Sequence, residues 1–217
     1  MKVNRGMVIR AGLKLLNEVG LEQLTLRLLG RELKVQAATL YWHFRSKQEL
    51  IDAMATMVLA EGAAQLVPTK QSLDWAVWAS SFGTGLRKTL LAYRDGGRMV
   101  AGTRLTDTTY MKMAERIAAK LIKSGFTLRQ TVVLLTTIYN YTLSFVMEEQ
   151  AVFPQPGRRS AQHDLVKRNA KLNAGELAIL RRAGAILFDQ FNRRYKEGLG
   201  LILRGARRSY RRKGSRH

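Results

Sequence analysis

The sequence predicts an all-α fold, with a small N-terminal three-helix domain ahead of a larger helical body. Apolar residues recur at helical spacing along most of the chain, and no segment alternates apolar and polar residues as a half-buried strand does. Only three of the 217 residues are proline, which suits long helices. We expect about ten helices, divided into a head over residues 1–48, a body over 49–206 and a basic tail over 207–217.

Capping residues and breaks in the apolar pattern set the predicted helix boundaries. Gly20 ends the first helix, and Thr25 caps the second. Ser46 and Glu49 form a capping box, in which each side chain reaches the other residue's amide, and this box opens a long helix that connects the two domains over 49–65. The predicted helices cover approximately 4–19, 25–33, 37–43, 47–65, 72–92, 107–123, 127–151, 174–187 and 191–210, with a short segment over 94–101.

Two helices of the body predict a dimer interface. The helix over 127–151 is apolar nearly all round, so it must be covered on every side. The last helix combines Leu199, Leu201 and Ile202 with three glycines, which allow close helix approach. Two such helices from each subunit would form a four-helix interface. Between them, residues 153–173 hold two prolines and many polar groups, which predicts a loop.

The charge balance points to a polyanionic partner. Lys and Arg number 37 against 16 Asp and Glu, which gives +21, and such an excess is typical of nucleic-acid-binding proteins. The absence of cysteine excludes disulfides and thiolate zinc sites and fits a reducing cytoplasm. The N-terminus lacks the apolar run of a signal peptide, and the longest uncharged run, 131–147, is too polar for a membrane span. We therefore expect a cytoplasmic protein with no membrane association.

Residues 25–47 have the composition of a helix-turn-helix. In that motif the second short helix lies in the major groove, and its first residues meet base edges. Arg27 can donate two hydrogen bonds to the edge of a guanine base, and Thr39 can bind a phosphate. From this pattern alone, a plain three-helix bundle with Tyr41 and Trp42 in its core stays open as an alternative.

Two segments of the head carry a specific resemblance. Residues 24–35 read LTLRLLGRELKV and residues 39–50 read TLYWHFRSKQEL, and both resemble the DNA-binding head of the TetR family. The body resembles the tetracycline repressor subclass of that family in AYRDGGRMVAGTRLT, LIKSGFTLRQTVVLL, YTLSFVMEEQ and AILFDQF, so the similarity covers roughly residues 5–210. The resemblance implies an all-helical homodimeric repressor that binds a palindromic double-stranded operator and is released by a small molecule.

The resemblance also implies which residues of the head meet DNA. Ala37 and Ala38 stand where this subclass has Gln-Pro. Alanine cannot form the bidentate amide contact to adenine, although it can touch a thymine methyl, so we expect a different operator sequence. The rings of residues 41–44 are expected to pack mainly inward and sideways at the back of the recognition helix, while Thr39, Tyr41 and Lys47 face phosphates. The expected DNA-contacting or supporting residues are Thr25, Leu26, Arg27, Ala37, Ala38, Thr39, Tyr41, Trp42, His43 and Lys47.

The resemblance does not extend to the metal and drug contacts of the subclass. Those contacts fall on Ala63, Phe82, Leu86, Val100 and Arg116, and none of these keeps the polar or metal-binding side chain that the subclass uses. Magnesium needs oxygen or nitrogen ligands, which Val100 lacks. We therefore expect no cofactor, no metal site and no binding of magnesium–tetracycline.

A partly aromatic, flexible pocket is expected in the body instead. Thr103, Arg104 and Glu148 match the inducer site of the subclass, and helical spacing adds further candidates. A buried Glu148 would need a partner, which Arg116 can supply. Such a pocket suits a hydrophobic drug-like molecule. The expected lining residues are Trp78, Phe82, Leu86, Val100, Thr103, Arg104, Tyr110, Met113, Arg116, Tyr139, Asn140 and Glu148.

The C-terminus is strongly basic. From Arg204 onward the chain has seven Lys and Arg residues and no acid. Two interpretations fit this composition: a solvated end, or a segment that adds non-specific phosphate contacts and so steepens the salt dependence of DNA binding.

The function best supported by the sequence is a ligand-responsive transcriptional repressor, with control of an efflux or resistance gene as the family expectation. The alternative is a DNA-binding regulator without an inducer, which a closed core without a cavity would favour. An enzyme would need a nucleophile–base pair or a metal cluster, and the sequence suggests neither.

Overall fold

The computed structural model of the chain describes residues 3–68, 74–155, 157–172 and 175–211. Within these ranges the chain forms eleven α-helices, two short 3₁₀ turns and no β-strand, which confirms the predicted all-α class. No helix there is long and apolar enough to cross a membrane. The helices are α1 (Arg5–Gln23), α2 (Leu26–Glu32), α3 (Ala37–Tyr41), α4 (Lys47–Gly62), α5 (Trp75–Leu91), α6 (Gly96–Val100), α7 (Thr109–Lys123), α8 (Leu128–Val152), α9 (Leu165–Ala170), α10 (Ala178–Asp189) and α11 (Phe191–Arg211).

Helix α1 continues past the residue that was predicted to end it. Asn4 caps its start, because its side chain accepts a hydrogen bond from the Met7 amide at 2.9 Å. Gly20 adopts φ +81°, outside the helical region, but the next turn is helical again and the Leu24 amide donates to the Gly20 carbonyl at 3.2 Å. The glycine therefore kinks α1, and the helix ends one turn later than expected.

The head packs around a single apolar core that helix α4 completes. Leu16 of α1, Leu29 of α2 and Leu40 of α3 are fully buried. Phe44 and Leu50, on either side of the start of α4, are fully buried as well. Helix α4 packs on α1 in the head and on α5, α6 and α7 in the body. It therefore packs against both the head and the body.

The predicted capping box at the start of α4 forms only in part. The Glu49 amide donates to the Ser46 hydroxyl at 3.1 Å, as expected. The Glu49 carboxylate, however, accepts from the Arg45 amide at 2.8 Å rather than from the Ser46 amide. The carboxylate reaches one residue further back because it also contacts the Arg5 guanidinium, with 3.3 Å between the charged atoms.

Helices α5 and α8 form the centre of the body, with α6, α7 and α11 packed around them. One face of α8 is buried, including Ile138 and Val146. The other face leaves Val133 and Met147 exposed. A single chain therefore leaves open one side of a helix that the sequence predicts to be covered on every side. An apolar helix face open to water indicates a binding surface.

The predicted loop over 153–173 was wrong in part, because it contains helix α9. Asp164 caps this helix: its side chain accepts from the Val166 amide at 2.8 Å and from the Lys167 amide at 3.1 Å. A six-residue helix is too short to produce a visible apolar period in the sequence. The predicted helix starts at residues 72 and 174 lie outside the described residues.

The basic segment that begins at residue 207 is helical at its start, as the helix predicted over 191–210 implies. Helix α11 continues through 207–211, and Arg207 pairs with Asp74 at the start of α5, 2.5 Å away. The Tyr210 ring packs against Phe126. Residues 212–217 lie outside the described residues.

Candidate DNA-binding surface and effector pocket

Helices α2 and α3 meet in a tight turn that the sequence fixes locally. The Thr25 hydroxyl accepts from the Leu28 amide at 3.1 Å and so caps α2. Lys34 adopts φ +55°, and the Val35 amide donates to the Gly30 carbonyl at 2.9 Å, which turns the chain into α3. Gly30 also permits close packing, because a Cβ added there would lie 3.0 Å from the Val35 carbonyl oxygen. The three-helix head thus has helix-turn-helix geometry.

The head presents a continuous exposed surface along α3 and the start of α2. Trp42 is 90% exposed and Tyr41 is 54% exposed. These exposures exclude the bundle alternative, which would bury both rings. The Arg27 guanidinium has no hydrogen bond or ion pair within the described ranges and is free to meet a base. The remaining exposed members of the predicted set are Thr25, Ala38 and Thr39.

Three expectations for the head need correction. Leu26 is only 6% exposed and packs in the core, because it lies on the inner face of α2. The Trp42 ring does not pack behind the recognition helix. Among the four consecutive rings of residues 41–44, Phe44 is the one that fills the core. The Lys47 ammonium donates to the carbonyl of Leu21 at 2.8 Å and to that of Glu22 at 3.2 Å, so its first role is to cap the end of α1. Ala37 and His43 are half-buried.

A cluster around Glu49 supports this surface from behind. The Arg5 guanidinium lies over the Phe44 ring, 4.2 Å from its centroid, and donates to the His43 carbonyl at 2.6 Å. The backbone hydrogen bond from Arg45 and the Arg5 charge hold the pKa of the Glu49 carboxyl below its ordinary value. The cluster therefore fixes the segment that joins α3 to α4.

The body contains a cavity of about 320 Å³ between α4, α5, α7, α8 and the loop that follows α6. This volume lies at the lower end of the range for small-molecule sites. Its walls include four of the residues expected from the sequence: Phe82, Thr103, Tyr110 and Tyr139. The complete lining is Leu59, Phe82, Thr103, Leu105, Tyr110, Ala114, Ile117, Leu135, Thr136 and Tyr139.

Two phenols supply the polar character of the cavity. Burial raises the pKa of both the Tyr110 and the Tyr139 hydroxyl, so each stays protonated and neutral at physiological pH. Neither hydroxyl has a hydrogen-bond partner within the described part of the chain. By contrast, the Thr103 hydroxyl donates to the Val100 carbonyl at 2.8 Å, and the Thr136 hydroxyl donates to the preceding turn of α8. Both phenols can therefore serve a ligand.

The other predicted lining residues lie elsewhere. Four of them are packed in the surrounding core: Trp78, Leu86, Val100 and Met113. Four are exposed on the surface: Arg104, Arg116, Asn140 and Glu148. The expected ion pair between Arg116 and Glu148 does not form, because both side chains face solvent.

The buried ion pair of the body uses the neighbouring glutamate instead. Arg87 and Glu149 form a bidentate contact, with nitrogen–oxygen distances of 2.6 and 2.9 Å. Arg87 also donates to the Asn192 side chain at 2.8 Å and so ties α5 to α8 and α11. On a helix, adjacent residues point about 100° apart. The sequence could not tell which of two consecutive glutamates faces inward.

A larger, open groove of about 960 Å³ lies where α1 meets the ends of α5, α8 and α10 and the start of α11. Its acidic side chains already have partners, since Glu149 binds Arg87 and Asp189 binds Arg159. The smaller cavity has two phenols without a hydrogen-bond partner in the described part of the chain, and we therefore regard it as the effector pocket.

Neither site offers ligands for a metal ion. No group of three or more His, Asp or Glu side chains able to hold one occurs in the described ranges. Val100, at the position of a metal contact in the tetracycline repressor subclass, is a buried hydrocarbon side chain. The residues present therefore do not fit a magnesium chelate.

The comparisons with known proteins match both domains. Residues 8–54 match the family described as bacterial regulatory proteins, tetR family, and residues 67–210 match the tetracyclin repressor-like C-terminal domain. The chain belongs to the TetR family. Its relatives include tetracycline repressor class A from transposon 1721 of Escherichia coli, which is 37% identical over 206 residues, 94% of this chain and 90% of that protein. They also include the class G repressor of Vibrio anguillarum, 41% identical over 69% of this chain and 70% of that protein.

Solved structures agree with this assignment. A possible TetR family regulator from Streptomyces coelicolor A3(2) superposes with a TM-score of 0.83, with 31% identity over 94% of this chain and 98% of that one. A single-residue variant of TetR from Acinetobacter baumannii AYE, solved with minocycline, has a TM-score of 0.74 and 33% identity over 95% of this chain and 98% of that one. The relatives of this TetR-family chain are transcriptional regulators rather than enzymes.

Hydrogen bonds connect the pocket of this TetR-family chain to helix α4. The Thr106 amide donates to the Thr56 hydroxyl at 2.9 Å, and the Arg104 amide donates to the Asp52 carboxylate at 3.3 Å. Both acceptors lie on α4, and both donors lie on the loop that carries Thr103 into the pocket. A displacement of this loop would therefore act directly on the helix that enters the head.

A second set of contacts joins α6 and the preceding turn to the end of α1. The Asp95 carboxylate accepts from the Leu21 amide at 2.9 Å, next to the kink in α1. The Arg94 guanidinium donates to the Glu18 carbonyl at 2.8 Å, and the Arg98 guanidinium contacts the Glu22 carboxylate at 3.0 Å. The contacts that hold the head to the body thus include α4 and the α5–α6 turn.

Proposed function

We propose that this TetR-family chain is a ligand-responsive repressor. A homodimer binds a palindromic operator through α3 in the major groove, and a neutral, mainly apolar molecule in the effector pocket releases it. The observation that carries the proposal is a pocket whose two phenols lack partners in the described part of the chain and whose loop is hydrogen-bonded to α4. A regulator without an inducer would need neither the cavity nor two phenols that form no hydrogen bond within the described part of the chain.

The exposed face of the head supports a specific mode of DNA reading. Arg27 recognises a guanine, while Ala38 packs on a thymine methyl. Thr39 and Tyr41 contact phosphates, and Trp42 lies along the sugar–phosphate backbone. Because a dimer places two recognition helices about one DNA turn apart, the operator is palindromic.

Release follows from a shift between two conformations of the dimer. A ligand that contacts Thr103 and Leu105 favours one position of the loop. The loop transmits that preference through Thr56 and Asp52 to α4, and α4 changes the separation of the two heads. We place the functional boundary between head and body inside α4, near residues 48 and 49.

The chemistry of the pocket defines the effector class. It is a largely apolar, drug-sized molecule that carries hydrogen-bond acceptors for Tyr110 and Tyr139 and needs no metal. The relatives at 37% and 41% identity are named tetracycline repressors, which supports control of an efflux or resistance gene. The lack of metal ligands separates this chain from magnesium-dependent binding.

A two-stage experiment tests this function. The operator is first selected from a random duplex library, and a panel of antibiotics and lipophilic drugs is then screened by thermal shift with and without magnesium. We expect hits that raise the Tm equally in both conditions and that displace the operator in fluorescence anisotropy. Operator binding without any displacing hit would favour a regulator that has no inducer. Hits that need magnesium would contradict the metal-free pocket.

A further inference from the structure

Most of the positive charge of this DNA-binding protein does not lie in its DNA-binding head. Residues 1–66 contain nine Lys and Arg and six Asp and Glu, a net charge of +3. Residues 67–217 contain 28 Lys and Arg and ten Asp and Glu, a net charge of +18. Operator binding by the head therefore leaves the charge of the body unexplained.

Part of this charge collects at the end of the body that is farthest from the head. The Phe126 ring, in the turn between α7 and α8, packs against Trp75 at 4.7 Å and Tyr210 at 5.6 Å between ring centroids. The end of α7, the starts of α5 and α8 and the end of α11 therefore meet at one place. We call this surface the distal pole. Its basic residues are Lys123, Arg129, Arg204, Arg207 and Arg208.

Helix α11 fixes the separation between the distal pole and the head. Its first residue, Phe191, lines the open groove together with Asn17 of α1. The helix has 21 residues. At 1.5 Å per residue, its far end lies about 30 Å from its start. The pole is thus too far from α3 to add contacts to the duplex that the same head holds.

Four of the five cations of the distal pole lack an acidic partner within the described ranges of the chain. Arg207 is paired with Asp74, which is the only acid in the segments that form the pole, and it lies over the Trp75 ring at 5.7 Å. Lys123 has no hydrogen bond or ion pair within the described ranges. The same holds for Arg129, Arg204 and Arg208. Arg129 also lies in the first turn of α8, where the helix dipole disfavours a cation.

We propose that the distal pole binds the phosphate backbone of a second DNA segment. A dimer on its operator then holds another duplex at the opposite end of the molecule and bridges the two. Arginine dominates the pole, and its planar guanidinium matches phosphate oxygens with two hydrogen bonds. DNA is the polyanion that we favour for the pole, because the heads already bind DNA and so keep the pole close to other DNA segments. Of the two interpretations of the basic C-terminus, this proposal adopts the non-specific phosphate contacts and assigns them to a different duplex.

The test separates pole binding from head binding. A head variant, T39E/Y41E, carries glutamates on the surface that would meet the first duplex, so DNA binding by the head is weakened. The affinity of this variant for a labelled 20-base-pair duplex of random sequence is measured by anisotropy. In this background the pole variant K123Q/R129Q/R204Q/R208Q should bind at least tenfold more weakly. Its log–log salt slope should fall by up to about 3.6, at about 0.9 for each lost phosphate contact.

A matched control removes the same charge elsewhere. The variant K167Q/K171Q/R181Q/R182Q changes four exposed cations on and near α9 and α10, and it should retain affinity within twofold. The wild-type protein should also capture a labelled duplex on beads that carry a second duplex, and the pole variant should not. All substitutions are at exposed positions, and thermal melts verify folding. Because Arg129 and Arg208 share helix faces with Val133 and Leu201, which we expect at the dimer interface, analytical ultracentrifugation verifies that the pole variant stays dimeric.

Three results would overturn the proposal. The head variant could fail to bind any duplex, or the control could lose as much affinity as the pole variant, which would indicate a bulk charge effect. Ile122 and Leu128 are exposed beside the cations, so vesicles of phosphatidylcholine and phosphatidylserine at 4:1 form the third arm. Binding of the pole to vesicles but not to the duplex would assign it to membranes instead.

Discussion

At the scale of single residues, substitutions of Tyr110 and Tyr139 should affect ligand binding but not folding. The variants Y110F and Y139F should each weaken binding of a screening hit about threefold to tenfold, because each loses one hydrogen bond worth about 0.5–1.5 kcal/mol. Neither should lower the Tm, since neither hydroxyl bonds to the described part of the chain. Isothermal titration and thermal melts measure both effects.

Tyr141 provides the matched control for that prediction. Its hydroxyl donates to the Tyr195 carbonyl at 3.1 Å, outside the pocket. The variant Y141F should therefore lower the Tm and leave ligand affinity unchanged. Ligand affinity that falls equally in all three variants would argue against the assignment of the pocket.

Glu49 should make the stability of the head depend on pH. Its folded-state pKa is lowered by the backbone hydrogen bond from Arg45 and by Arg5. Its contribution is therefore fully present above the ordinary value of 4.5 and is lost as the pH falls through the lower folded value. The variant E49Q should reduce the loss of stability in acid, as measured by urea unfolding at pH 7 and at pH 3. An unchanged difference between the two pH values would contradict this role.

Individual side chains show which parts of the sites were predictable. Caps at Thr25 and Ser46 depend on neighbours three residues away, so the sequence predicts them well. The exposure of Trp42 depends on the competing fit of Phe44 in a core built from three helices. Such competition between adjacent rings has no signature in the local pattern.

At the scale of elements, helix α4 is the mechanical link. The variant T56V removes the acceptor for the Thr106 amide on the loop that reaches the pocket. We expect ligand affinity within about twofold of wild type, with at least tenfold more ligand needed to release the operator. Titrations of ligand binding and of operator release, run in parallel, measure the two quantities.

Thr84 offers a control for this substitution. Its hydroxyl bonds only within α5, to Ser80 at 2.8 Å and to Ser81. The variant T84V should leave both titrations unchanged. A T56V protein that releases its operator normally would show that coupling uses the α5–α6 turn instead.

Helix α5 depends on a glycine where it crosses the end of α4. A Cβ added to Gly85 would lie 2.4 Å from the Gln65 carbonyl oxygen, a backbone atom that cannot move alone. The variant G85A should therefore cost about 1–3 kcal/mol of unfolding free energy. Urea unfolding of G85A and of the wild-type protein measures this cost.

Element boundaries were predictable where a cap or an apolar period marks them. Helix α8 begins within one residue of its predicted start, because Thr127 and Gln130 form a full capping box. Helix α9 and the last turn of α1 escaped prediction for a different reason. Each depends on one short segment whose conformation is set by a side chain or a glycine rather than by periodicity.

At the scale of the whole molecule, the uncovered faces of α8 and α11 should hold the homodimer together. Val133 is 44% exposed and Leu201 is 65% exposed. The double variant V133E/L201E should become monomeric, because glutamates from two subunits would meet in an apolar interface. Operator affinity should fall at least a hundredfold, since each monomer reads only half of the palindrome.

Analytical ultracentrifugation and anisotropy measure these two outcomes. The variant M111E, which changes an exposed apolar residue of α7, should remain dimeric and bind the operator normally. A dimeric V133E/L201E protein would show that the subunits meet through another surface.

The global fold was more predictable than the effector pocket. Helical periodicity and the two head segments determine the class and the family with little ambiguity. The pocket requires Leu59, Phe82, Thr103, Tyr110 and Tyr139 to meet from five separate segments. Small rotations of α7 or α8 exchange one lining residue for another, and no local pattern records them. For that reason the predicted residues Asn140 and Glu148 lie outside the lining of this cavity.

The placement of the three tryptophans makes the protein its own optical reporter. Trp42 stands in solvent on the DNA-facing surface, whereas Trp75 and Trp78 are buried in the body. Iodide should therefore quench one indole and spare the other two. Bound DNA would shield Trp42 from the quencher, while changes inside the body would alter the emission of the buried pair. Occupancy of the operator and events in the body can thus be followed in one cuvette without an attached dye.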